Sequence, residues 1–318
     1  PQLNLSYNSD GGNGWLGVGW NLDASSITID TRWGVPRYDD AQETETYLLD
    51  GAQLTPLAHR AEPAARTPEK IFHTRVEGSF RKIVRHGTTP HDYWWEVTDK
   101  NGLRFFYGGL PEAGMIQAAV LAGNGESDIF RWALTQTRDT HGNTVDYTYA
   151  KVLDAGVGDG SGEAKGVQLY LAEIRYTGTV TEPGSYTVRF VKDVDLEQER
   201  RPDVGIDGRA GFKIVTAALL RRVDVLFNDH MVRSYELTYG AGAFQKSLLT
   251  EIIQYGADGA EFYRHSLTYY DEVSLEEDYA GFEAPVEWYT GNDNIDAGLW
   301  GYGRATAIGS SVGNSVGG

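Results

Sequence analysis

No cysteine occurs among the 318 residues. Disulfides, thiolate catalysis, cysteine-ligated zinc and iron–sulfur clusters are therefore excluded. Methionine is nearly missing, with two in the whole chain. No apolar run approaches the roughly 18 residues of a membrane-spanning helix. No basic-then-apolar leader opens the sequence. Positive charge is the minority, with 28 Lys and Arg against 45 Asp and Glu, a net −17. A chain so poor in basic residues is expected to bind neither nucleic acid nor an anionic membrane surface.

Glycine and aromatics are abundant. The 39 glycines amount to about 12% of the chain against a usual ~7%, and there are 19 tyrosines and eight tryptophans. Apolar residues make up 41%, enough for a sizeable core. Alternation with period two recurs at Leu3, Leu5 and Tyr7; at Tyr93, Trp95 and Val97; at Val145, Tyr147 and Tyr149; at Tyr186, Val188 and Phe190; and at Tyr235, Leu237 and Tyr239. This is the signature of half-buried antiparallel strands. Asn101-Gly102, His141-Gly142-Asn143, Asn228-Asp229 and Asp258-Gly259 separate such runs and read as hairpin turns. The pattern predicts an all-β fold of antiparallel hairpins stacked into a curved sheet. Pro111 to Leu121 reads as a short helix, and Lys213 to Leu220 as helix or strand.

Three stretches read as loops: Ala58 to Pro68, the glycine-rich Asp154 to Gly166, and Leu196 to Gly211, the last of which is expected to be mobile. The stretch 154–166 is the best internal boundary. From Asp271 to Asp296 there are nine Asp or Glu and no Lys or Arg. The region 271–298 reads as an acidic connector, or as a face for a basic partner or a cation. The chain opens at Pro1 in a strand-like run and stops in a Gly-Ser tail. Residues 1–318 are therefore expected to be a β-rich piece of a longer polypeptide.

A loose repeat is visible. Leu134 to Tyr149 runs leucine, strand, turn, strand, Tyr-x-Tyr, and Leu220 to Tyr239 and Leu249 to Tyr269 repeat the outline. One hairpin cannot bury its own apolar face, so the copies are expected to form one continuous sheet with tyrosines on one side.

No constellation assigns a catalytic, cofactor-binding or metal-binding residue. Gly11 to Gly19 lacks the following helix and the P-loop lysine of a phosphate loop, and reads as a turn packed by tryptophans. Arg37, Asp39 and Asp40 read as a buried Arg–Asp brace rather than an acid–base pair. Glu43-Thr44-Glu45 matches the Glu-x-Glu of ADP-ribosyltransferases by letters, but it lies too early in the chain. The seven histidines, His59, His73, His86, His91, His141, His230 and His265, form no zinc-binding spacing. Asp154, Asp159 and Glu163 do not have EF-hand spacing. Trp15, Trp20, Trp33, Trp94, Trp95, Trp132, Trp288 and Trp300 read as sheet packing more readily than as a sugar-binding row.

The repeat outline resembles the YD/RHS repeats of large bacterial shell proteins. The ordered set Gly11-Gly-Asn-Gly-Trp-Leu-Gly-Val-Gly-Trp-Asn-Leu22, Arg32-Trp-Gly-Val-Pro-Arg-Tyr-Asp-Asp40 and Tyr47-Leu-Leu-Asp-Gly-Ala-Gln-Leu54 is more specific. It resembles the SpvB-like N-terminal family, as do Trp94 to Gly108, Ile129 to Tyr149 and Trp300 to Gly309. That family includes the B components of bacterial Tc insecticidal toxin complexes. The resemblance implies a secreted, non-catalytic segment of a hollow β-walled shell. The implied partners are an RHS-repeat C component, the toxic effector enclosed with it, and an A-component pore reached through a downstream segment outside these residues. The family also includes proteins in which an SpvB-like region is fused to an ADP-ribosyltransferase domain. No cofactor is implied. The alternative is a secreted or surface glycan-binding or adhesion module using the aromatic residues. A glycosidase acting through Asp39, Asp40 or Glu45 is a further reading.

Overall fold

A computed structural model describes residues 3–22, 24–57, 64–153 and 166–270. Strands account for just over half of the described residues, only short 3-10 turns stand beside them, and the main sheet holds 16 antiparallel strands. The expected architecture is observed, with one addition: half of the sheet closes on itself.

The closed half runs Ser26–Ile29, Tyr47–Leu49, Ala52–Pro56, Glu69–Thr74, Lys82–His86, Trp94–Thr98, Arg104–Tyr107 and Asp128–Arg138, each paired with the next. The long strand Asp128–Arg138 then pairs through Arg131–Ala133 with Ser26–Ile29, where the series began. Eight strands thus form a ring with no open edge between them. Every one of the eight contributes to a single buried cluster that includes Ile27, Tyr47, Leu54, Phe72, Ile83, Trp95, Tyr107 and Trp132. Inside it Tyr47 meets Trp95 edge-on at 4.8 Å and Trp132 at 5.9 Å, the preferred geometry for ring quadrupoles. The Trp132 indole donates to the Tyr93 carbonyl at 2.7 Å, which satisfies its one polar atom.

From Arg138 the chain turns and continues as an open meander: Asn143–Val152, Gln168–Thr179, Tyr186–Lys192, Leu220–Phe227, His230–Ala241, Ser247–Gly256 and Glu261–Ser266. The turns follow their local chemistry. Asp99 and Asp139 each accept from the backbone N–H groups two and four residues on, fixing the Asn101-Gly102 and His141-Gly142 turns alike. Asn228 and Asp229 both have positive φ (47° and 63°), the two-residue hairpin turn whose twist matches the flanking strands.

The repeat has a physical basis here. Tyr149 donates its hydroxyl to the carbonyl of Leu134 at 2.7 Å, and Tyr239 donates to that of Leu220 at 2.7 Å. In both units the closing tyrosine ties the second strand back to the leucine that opens the first. Tyr147, Tyr149, Tyr235 and Tyr239 pack around the second core cluster, built on Ile174, Phe190, Leu220 and Leu249.

Two expectations are corrected. The span 111–121 forms no α-helix: it holds the strand Gly114–Met115, a 3-10 turn at Gln117–Ala119 and the start of strand Val120–Gly123, which pairs with Asp128–Arg138. The span 196–211 is no free loop: Arg201 and Ala210 are buried, and Gly205–Asp207 pairs with Ile214–Thr216. Residues 58–63, the proposed boundary at 154–165 and the acidic 271–298 lie outside the described residues.

Candidate functional site

The glycine-rich segment lies against the open sheet. It forms two small ladders, Leu5–Tyr7 with Trp20–Leu22 and Asn13–Gly14 with Gly17–Val18. Trp15, Leu16, Trp20 and Leu22 pack into the second core, and the Trp15 carbonyl accepts from Leu220 N–H at 2.8 Å. Gly17 has φ +82°, and a Cβ there would stand 2.5 Å from the Ser247 carbonyl oxygen. Glycine is required at this position by both conformation and space. The segment is a packed cover, as its tryptophans suggest.

Beneath it sits a buried polar knot that sequence reasoning missed. Asp203 accepts from Arg201 Nε (2.9 Å), Asn13 Nδ2 (2.7 Å), Ser247 N–H (2.7 Å) and Ser247 Oγ (2.6 Å). Arg201 donates onward to the Gly14 carbonyl at 2.6 Å and to Asn13 Oδ1. The side chains of Arg201 and Asp203 are 0% and 2% exposed. Burial opposes the charge on Asp203, but the hydrogen bonds from Arg201 and Ser247 outweigh it and hold the carboxyl well below the usual carboxylate range. Three distant parts of the chain are joined: the glycine-rich cover, the 193–211 connection and strand Ser247–Gly256. Partners some 190 residues apart leave no mark on local sequence pattern.

The Glu-x-Glu pair is also buried. Glu43 contacts Arg85 and Lys70, and Glu45 accepts from Arg66 Nη2 at 2.8 and 3.0 Å. The Arg85 guanidinium lies 3.8 Å from the Tyr93 ring centroid and donates to the Thr67 carbonyl at 3.0 Å. Two carboxylates are thus engaged by three cations, an arrangement suited to bracing. The sequence signal available for Arg85 is its place two residues after Ile83, on the same face of a strand.

The expected Arg37–Asp brace is not formed. Asp39 and Asp40 are exposed. Asp39 accepts from Gln42 and Ala41 N–H, which lowers its pKa. Asp40 instead meets His91 Nε2 at 2.7 Å, while His91 Nδ1 faces the Ser127 carbonyl at 2.7 Å. These two acceptors, the carbonyl first, raise the His91 pKa.

Among the described residues no group of three His, Asp or Glu is placed to hold a metal ion. His86 stacks on Trp94 at 4.1 Å, and His141 stands 3.9 Å from Asp139 in its turn. Asp154, Asp159, Glu163, His59, Trp288 and Trp300 lie outside the described residues. Trp95 and Trp132 are fully buried, and Trp33 is 87% exposed. The described tryptophans therefore form no common exposed row.

A family model described as SpvB, Salmonella virulence plasmid 65kDa B protein, matches residues 1–199. The chain belongs to the SpvB family. The mono(ADP-ribosyl)transferase SpvB of Salmonella choleraesuis (strain SC-B67) is 28% identical over 195 residues, 55% of this chain and 32% of that protein. The Salmonella typhimurium protein of the same name is also 28% identical over 195 residues. The chain thus spans about a third (32%) of the length of the curated relatives it matches.

Solved structures agree. The N-terminal domain of the effector protein SpvB from Salmonella typhimurium strain LT2 has a TM-score of 0.67 at 22% identity, covering 80% of this chain and 94% of that one. The TcdB2-TccC3 crystal structure gives 0.68 at 21% identity, covering 85% of this chain and 15% of that one. The Photorhabdus luminescens Tc holotoxin pore gives the same values. At these identities the likeness establishes the fold. For this SpvB-family chain, the Glu43 and Glu45 pair is committed to internal ion pairs on the N-terminal side of the fold.

Proposed function

We propose that this chain is a non-catalytic structural segment of a toxin-complex B component. It would form part of a hollow β-walled shell that encloses a toxic effector for delivery. The observation that carries this reading is the continuous ladder from Ser26 to Ser266, similar over 85% of this chain to a small part, 15%, of the TcdB2-TccC3 chain. A wall must exclude solvent and leave no open edge within itself. The closed ring and the uninterrupted meander have that character, and the buried knot and ion pairs stiffen them.

On this reading the partners are an RHS-repeat C component and its enclosed effector, with an A-component pore engaged through a further segment. The assembly is secreted, and the net −17 keeps a large particle soluble. Any ADP-ribosyltransferase activity belongs to another domain. The glycan-binding alternative rests on exposed aromatics, and only Trp33 among the described tryptophans is strongly exposed.

Cryo-electron microscopy of the complete polypeptide, co-purified with its C component, tests the proposal. The expected map shows strands 143–266 continuous with the wall of a closed shell. A free-standing module tethered outside the particle would overturn it.

A further inference from the structure

A cavity of about 360 Å³ lies where the closed ring meets the open sheet. That volume falls within the range of small-ligand sites. Among its lining residues are Arg131, Trp15, Tyr149, Gln168, Tyr170 and Thr216, and none is Asp or Glu. Arg131 is the sole charged group there. Its one hydrogen bond among the described residues runs from Nη2 to the Leu169 carbonyl at 3.2 Å. Its Nε is buried without an acceptor. Desolvation, with no facing carboxylate among the described residues, lowers its pKa from the usual arginine value. A half-buried guanidinium with no counterion among the described residues is costly and calls for an anion.

The neighbouring polar groups are also left as donors. Tyr170 Oη already accepts from Ala217 and Ala218 N–H, each at 3.2 Å, so its hydroxyl hydrogen is free to donate. Thr216 Oγ1 accepts from Gln168 Nε2 at 2.8 Å, which leaves its O–H as a donor. Gln168 Oε1 is taken by Leu169 N–H at 3.0 Å. The cavity therefore has a surplus of donors, one positive charge and flanking aromatic rings.

We propose that this cavity binds a carboxylate, held by the Arg131 guanidinium and by the hydroxyls of Thr216 and Tyr170. A single fixed cation matches a monoanion, and a guanidinium fork matches a carboxylate's two oxygens. The rings of Trp15, Tyr149 and Tyr170 suit a flat apolar body. The carboxylate is that of a free small molecule.

Benzoate is the probe. Thermal unfolding of the full chain is followed with rising sodium benzoate against sodium chloride at equal ionic strength, with tryptophan fluorescence as a second readout. A free-ligand site gives a benzoate-dependent rise in Tm that Arg131→Met abolishes. Arg131→Lys, which keeps the charge and loses the fork, weakens it about tenfold or more and serves if the methionine variant does not fold. The proposal is overturned by an equal response in the Arg131 variants, or by no response in the parent protein.

Discussion

Removing the carboxylate of Asp203 should be among the most damaging single changes in the chain. In Asp203→Ala, four hydrogen bonds vanish at once, from Arg201, from Asn13 and twice from Ser247. Arg201, 0% exposed, is left as a buried cation with only the Gly14 carbonyl and Asn13 Oδ1 as acceptors. Breaking a buried pair in this way costs about 3–5 kcal/mol. Asp203→Asn keeps the shape but not the charge, so its loss should lie between that value and zero. Urea unfolding followed by tryptophan fluorescence measures both, and Trp15, two residues from Asn13, reports on the cover directly. The folded pKa of Asp203 is depressed below an unfolded value near 3.9. Its stabilisation is therefore fully present above about pH 5 and is lost as pH falls below about 4. Asp203→Asn should flatten that acid limb. A loss under about 1 kcal/mol for Asp203→Ala would refute the claim that the knot fastens the cover.

Other substitutions read other parts of the fold. Trp95→Ala, at a fully buried ring, should cost about 3–5 kcal/mol in the same urea experiment, whereas the half-buried Trp94, stacked on His86, should cost clearly less. Tyr149→Phe and Tyr239→Phe each delete a hydroxyl that ties a strand to a leucine carbonyl and should each cost about 1 kcal/mol. Gly17→Ala adds a Cβ where the Ser247 carbonyl stands and should lower Tm by several degrees, with Trp15 fluorescence shifting toward the red. The His91 pKa is raised, so the Asp40–His91–Ser127 link is strongest below about pH 6.5 and weakens as pH rises through the folded value. In a melting series from pH 6 to 8, His91→Gln should reduce the dependence of Tm on pH, and an unchanged slope would show that the link is energetically silent.

The parts that sequence revealed are those governed by near neighbours. Turns at Asn101-Gly102, His141-Gly142 and Asn228-Asp229 are fixed by a residue or two, and strands such as Tyr235 to Tyr239 by alternation over five. Closure of the ring was not legible. It depends on Arg131–Ala133 meeting Ser26–Thr28 across about a hundred residues, and no local rule specifies that partner. In the span 111–121, Gln117-Ala118-Ala119 carries helical propensity, which pairing of Val120–Gly123 with Asp128–Arg138 overrides. Arg37 was given the role that His91 takes with Asp40, since adjacency in sequence is a poor guide to which cation faces a carboxylate. The buried ion pairs of the knot and around Glu43 leave no mark in local sequence, because the counterions come from elsewhere in the chain.

The central claim, that these residues belong to a wall enclosing an effector, is most directly tested by protease protection. The complete polypeptide would be purified with its C component, and digestion of the effector followed by mass spectrometry in the intact particle and after the particle is opened with denaturant. The account predicts that effector peptides appear only after opening. Digestion of the effector at equal rates in both states would contradict it.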